Sequence, residues 1–139
     1  MSSHAFFSLE DLARILPTPG YYGCSITHAS FRHSSRGNHM LHVLFLLEGV
    51  NPAFQRLADY FVLEGASPHG IAVARRRLVQ LYHACGFHPE EGEEILPCQL
   101  IDYHLQLKVD QVEWENQSRL RILAYRSSWS AAAGGQLPF

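Results

Sequence analysis

Arginines interleaved with aromatic rings are the residues of this chain best suited to chemistry. Binding a single nucleic-acid strand needs cations along the phosphates and aromatic faces on which the bases stack. Arg32 precedes one turn and Arg36 lies in it, and Arg56 and Tyr60 lie in one strand. Lys108, Trp114, Arg119, Arg121 and Tyr125 gather near the end of the chain. Trp114 sits between Glu113 and Glu115 in a polar stretch. It reads equally as a stacking platform and as a ring folded back over the sheet. Arg119 and Arg121 alternate along one strand face, which is either a groove wall or a plain solvated surface. Tyr60 and Phe61 are consecutive in a strand, so at most one of them can stack and the other is core. Arg75-Arg76-Arg77 is the densest positive run. On a helix such a run is usually a solvated face, the alternative being a patch that tracks a phosphate backbone.

Other chemistries find less support. Nine histidines raise the question of metal. His39 and His42 are three apart and so fall on opposite faces of a strand. No C-x-x-C pair and no H-E-x-x-H helix is present, so no metal site and no cofactor is expected. A glycine-rich phosphate loop, a G-x-S-x-G elbow and paired carboxylates on regular elements are all missing. The chain therefore reads as a binding protein and not as an enzyme.

These residues have to be positioned by regular elements. Ser8-Leu9-Glu10-Asp11 resembles a helix cap with an acidic first turn, placing a short helix over 1–16 that Pro17-Thr18-Pro19-Gly20 ends. Strands are expected over 21–33, 39–48 and 54–64, separated by a turn at 34–38 and a break at Gly49-Val50-Asn51-Pro52. Ile71, Ala74, Leu78, Leu81, Tyr82 and Cys85 recur at helical spacing, with Gly86 as the C-cap. Glu90-Glu91-Gly92-Glu93-Glu94 reads as a solvated acidic loop. Ile101, Tyr103, Leu105, Leu107 and Val109 alternate with Asp102, His104, Gln106 and Lys108, a half-buried strand. Residues 110–118 read as a turn and 119–126 as the last strand. Five strands with the principal helix between the third and fourth is the arrangement of the OB-fold, a small Greek-key barrel. Another α+β sheet stays open. The expected layout is a helix over 1–16, a mainly β OB domain over 17–126 and a flexible tail over 127–139.

Length and composition agree with one globular domain. The chain has 139 residues, 47% of them hydrophobic and 17% charged, enough to bury a core without disulfide or metal. Cys24, Cys85 and Cys98 are read as reduced core residues. The longest apolar run, Val43 to Leu47, is too short to span a bilayer, and no secretory signal is visible. A cytoplasmic protein that does not engage membranes is the expectation. The net charge of −2 means that any nucleic-acid surface is a local basic groove.

Pro19-Gly20-Tyr21-Tyr22, Arg36-Gly37-Asn38-His39-Met40-Leu41, Asp59 to Leu63, and Ile71-Ala72-Val73-Ala74-Arg75-Arg76-Arg77-Leu78 through Gly86 resemble segments of a family of small phage and prophage proteins. Leu96 to Lys108 resembles the strand that follows in that family. Its members, long catalogued as a domain of unknown function, are commonly treated as single-stranded DNA-binding OB-fold proteins. The likeness spans roughly 17–126. It implies single-stranded DNA binding in phage-type recombination or replication. Separately, Leu137-Pro138-Phe139 after Gly134-Gly135 is similar to the C-terminal tip of bacterial single-stranded DNA-binding proteins, without its acidic residues. That likeness implies a docking tip for a recombination or replication protein. The alternative is a protein–protein interaction module built on the same barrel and tip. Self-association is left open.

Overall fold

The computed structural model describes residues 16–128 apart from 34, 36, 66, 91 and 95, with Trp114 described by its backbone alone. The helix expected over 1–16 and the tail expected over 127–139 fall almost wholly outside the described residues. The chain there is mainly β: five antiparallel strands in one sheet and one long helix. β1 is Gly20–His33, β2 His39–Leu47, β3 Arg56–Glu64, β4 His104–Trp114 and β5 Gln117–Arg126. Helix α1, Pro68–Ala84, lies between β3 and β4. Short 3-10 turns occupy Pro52–Phe54 and Pro97–Leu100.

The sheet order is β3-β2-β1-β4-β5. β1 is long enough to serve two neighbours, laddering with β4 over Gly20 to Ser25 and with β2 over Cys24 to His33. The two edge strands, β3 and β5, meet through side chains. The Tyr125 hydroxyl donates to the Asp59 carboxylate, and the Tyr125 ring lies 6.3 Å from that of Phe61. The sheet is therefore curled until its edges face each other, and α1 packs across both. No ladder joins β3 to β5 among the described residues.

Alternation fills the inside of the curl with Cys24 and Ile26 of β1, Leu41, Val43, Phe45 and Leu47 of β2, and Leu105, Leu107 and Val109 of β4. Three ladders each take one extra residue, Thr27, Leu63 and Leu123. Each such bulge reverses which face the following residues occupy. In β1 the buried series thus runs Cys24, Ile26, Ala29.

Helix α1 starts where the Ser67 hydroxyl accepts from the Gly70 N–H at 3.1 Å, with Pro68 in its first turn. It stops at Gly86, whose φ of 90° is left-handed. The Phe87 N–H returns to the Tyr82 carbonyl and the Gly86 N–H to that of His83. Phe87 then packs edge-on against Tyr82, which completes a Schellman stop. The expected helix and its glycine stop are both observed.

Two expected boundaries differ. The segment over 110–118 is not a turn: β4 runs to Trp114, β5 starts at Gln117, and only Glu115 and Asn116 turn, both at positive φ. This arm projects beyond the core, so Gln111, Glu113, Ser118 and Arg119 are exposed and no buried stripe marks the strands. At the other end β4 begins at His104, not Ile101. Pro97–Leu100 forms a 3-10 turn and Asp102 takes a φ of 73°, which breaks the alternation and leaves Tyr103 outside.

Cys24 and Cys85 are buried thiols as expected, whereas Cys98 is exposed. Burial pushes both buried thiols up from 9.0 to about 12. A thiol harder to ionise when folded contributes stability below its unfolded value that is lost as pH rises. Urea unfolding should give constant stability from pH 7 to 8.5. Above pH 9 it should fall by roughly 1.4 kcal/mol per pH unit for each thiol. Cys85→Ala should about halve the initial slope. Stability that stays flat to pH 11 would contradict the burial of these groups. No helix among the described residues is long and apolar enough to cross a membrane.

Candidate nucleic-acid interface

The inside of the curl is packed with apolar side chains, and Arg32, Arg56 and Tyr60 stand exposed on the sheet's outer face. Across β1, β2 and β3 the register aligns Ser30 with His42 and His42 with Tyr60. One step along, Arg32 faces Met40, and toward the other end Leu46 faces Arg56. A depression of about 490 Å³ opens there, lined by Thr27, His28, Arg32, Leu44, Leu46 and Arg56. Among the described residues no carboxylate lies within ion-pairing distance of Arg32 or Arg56. Two guanidinium groups above half-buried leucines make a surface that an anionic, partly apolar chain can occupy.

Tyr60 stands beside this depression with 50% of its surface exposed, while Phe61 is fully buried. One face of the Tyr60 ring stacks on His42, centroids 4.7 Å apart and planes 27° from parallel. That contact holds the phenol ring against the sheet. His42 is only 7% exposed, and its Nδ1 has no hydrogen-bond partner among the described residues. Burial, with help from Arg32 and His28, lowers its pKa below the ordinary histidine value. It is therefore neutral at pH 7 and contributes a ring, not a charge. His28 is fixed by a 3.1 Å hydrogen bond between its Nε2 and the Ser30 hydroxyl.

A second group lies on the outer face of β1, β4 and β5. Lys108 and Arg126 flank Tyr21, at 5.9 Å and 3.5 Å from the ring centroid. Arg126 Nε donates to Gln106 at 2.7 Å. Farther along the β4–β5 arm, Arg121 approaches Asp110 at 3.4 Å and Arg119 donates to Gln117 at 3.2 Å. Both arginines are on the surface, with Arg121 partly neutralised.

The structure thus brings Arg32 and Arg56 to one depression, with Tyr60 on the same face of the sheet, and places Lys108 with Tyr21 and Arg126. It does not bring Tyr125 to them. Tyr125 is 4% exposed, its hydroxyl bonded to Asp59. The expectation that it stacks a base is corrected. Arg119, Arg121 and Tyr125 share a face only if β5 is regular, and the extra residue Leu123 turns Tyr125 inward. The run Arg75-Arg76-Arg77 divides as well. Arg75 and Arg76 are exposed, but Arg77 turns in, pairs with Asp59 and covers the Phe61 ring at 5.1 Å. Arg36, the side chain of Trp114, and Leu137, Pro138 and Phe139 lie outside the described residues.

Sequence reasoning missed Tyr21, His28 and His42 as members of this face. Counting outward from the apolar Cys24 and Ile26 would have placed Tyr21 outside. His28 could not be found that way, because the Thr27 bulge shifts it. Among the described residues no three His, Cys, Asp or Glu side chains are grouped to hold a metal ion. A scan of protein-family models finds no match to the chain, and a search of curated proteins finds none.

Proposed function

We propose that this chain is an OB-type, cytoplasmic binding module for single-stranded DNA that performs no catalysis. The observation that carries the reading is the pair Arg32 and Arg56, without ion-pair partners among the described residues, around an outer-face depression beside the exposed ring of Tyr60. Cations spaced along a groove with an adjacent aromatic face suit phosphates and bases of one strand, with little dependence on sequence. The strand order supports the fold assignment, since β1 pairs with both β2 and β4 and the helix after β3 lies across the two facing edges. Lys108, Arg119 and Arg121 extend the basic face along β4 and β5. A role in phage-type recombination or replication is the setting that the family resemblance implies. Fluorescence titration with oligo-dT at two salt concentrations tests the proposal. Tight binding at low salt, weaker binding to duplex, and a loss of affinity with salt of about 0.7 log units per log unit for each phosphate contacted are expected. No binding to oligo-dT at micromolar protein and low salt would end this reading.

A further inference from the structure

On the inner side of β1, where the strand outruns the packed core, the surface has the opposite character. A groove of about 650 Å³ runs between the ends of β1, β2 and β3, helix α1 and the loop after it. Its floor is apolar: Phe31 of β1 and Val79 of α1 stand 45% and 43% exposed, and Leu63 of β3 lines it with them. Its rim is acidic, formed by Glu64, Glu90, Glu93 and Glu94 against the single cation Arg75. None of these four carboxylates is in an ion pair among the described residues. Large exposed apolar side chains framed by charge mark interaction surfaces, and four glutamates exclude a phosphate backbone from this one.

We propose that this groove docks a peptide segment of a partner protein that presents an aromatic or aliphatic side chain flanked by lysine or arginine. The apolar side chain would enter between Phe31 and Val79, and its basic neighbours would face Glu90, Glu93 and Glu94. Phe31 and Arg32 are consecutive in β1 and leave opposite faces of the sheet. The peptide groove and the basic depression are therefore back to back, and one molecule can hold an anionic strand and a cationic peptide together. This inference stands apart from the DNA reading, because none of the groove residues enters that argument.

The test uses the full chain and a fluorescein-labelled synthetic peptide of twelve residues, two phenylalanines among lysines, read by fluorescence anisotropy. The same peptide with glutamate for lysine is the control. The lysine peptide is expected to bind and the glutamate peptide not. Val79→Glu adds a negative charge, so a purely electrostatic contact would tighten. The groove predicts instead a loss of at least about tenfold, as for an anchor residue lost from an apolar pocket. Glu93→Lys with Glu94→Lys should weaken binding comparably and reduce its salt dependence. Because Val79 is half exposed, folding should survive; if thermal unfolding of Val79→Glu shifts, the double loop variant decides. Failure of the lysine peptide to bind, or binding indifferent to both variants, overturns the proposal. Binding that appears only after Leu137 and Phe139 are replaced by serine also overturns it, since the occupant is then the chain's own end. So does a dimer in sedimentation that Val79→Glu dissociates, since the occupant is then a second copy.

Discussion

Replacing Arg32 and Arg56 together with alanine should lower affinity for oligo-dT by about tenfold or more at low salt and reduce the salt slope by about 1.4, two contacts at roughly 0.7 each. Both side chains are exposed and neither makes an ion pair among the described residues, so folding stability should change by less than about 0.5 kcal/mol. Tyr60→Ala acts through a different contact. Loss of its ring should weaken binding by about 1–3 kcal/mol without altering the salt slope, because stacking displaces no counterions. It also uncovers His42, whose ring it covers at 4.7 Å. The histidine pKa, held down first by burial, should then move back up toward the ordinary value in an NMR titration. An unchanged slope in a folded double variant would place the DNA elsewhere, with Lys108, Arg119 and Arg121 on β4 and β5 as the next surface. The two effects separate charge from stacking at one site.

Asp59→Ala should be among the most destabilising single changes outside the apolar core, about 2–4 kcal/mol by urea unfolding. Asp59 accepts from both the Tyr125 hydroxyl and Arg77, joining β3, β5 and α1 at the seam where the sheet's edges meet. Its removal leaves a hydroxyl buried without a partner and a guanidinium over Phe61 with no counter-charge. Arg77 is partly exposed and can turn to water, which keeps the cost below that of a fully buried pair. Tyr125→Phe keeps the ring among Phe45 and Phe61 and removes one hydrogen bond, so a smaller loss of about 1–2 kcal/mol is expected. DNA affinity of folded Tyr125→Leu, which removes the aromatic face, should be unchanged, which separates an interior position from a stacking role. A cost below about 0.5 kcal/mol for Asp59→Ala would mean that the apolar contacts of α1 alone hold the seam.

Helix α1 was legible because its signals are local. Ser67 caps, Pro68 opens, Ala74, Leu78, Leu81 and Tyr82 repeat at helical spacing, and Gly86 stops the helix through a left-handed φ. The existence of five strands and the opposition of Tyr60 to Phe61 are likewise consequences of short-range alternation. Faces after a bulge were not legible. One inserted residue at Thr27, Leu63 or Leu123 is set by how two strands twist together, and it reverses every assignment downstream. That is why Tyr125 is interior and His28 is beside Arg32. The β4–β5 arm escaped for the opposite reason: Gln111, Glu113, Ser118 and Arg119 are exposed and none of its described side chains beyond Val109 and Ile122 is fully buried, so it carries no buried period. Asp59, Arg77 and Tyr125 are separated by 18 and 66 residues, and only the curl of the sheet brings them into contact. Composition and period decided which elements form; the meeting of the sheet's two edges decided which charges are buried and which remain on the surface.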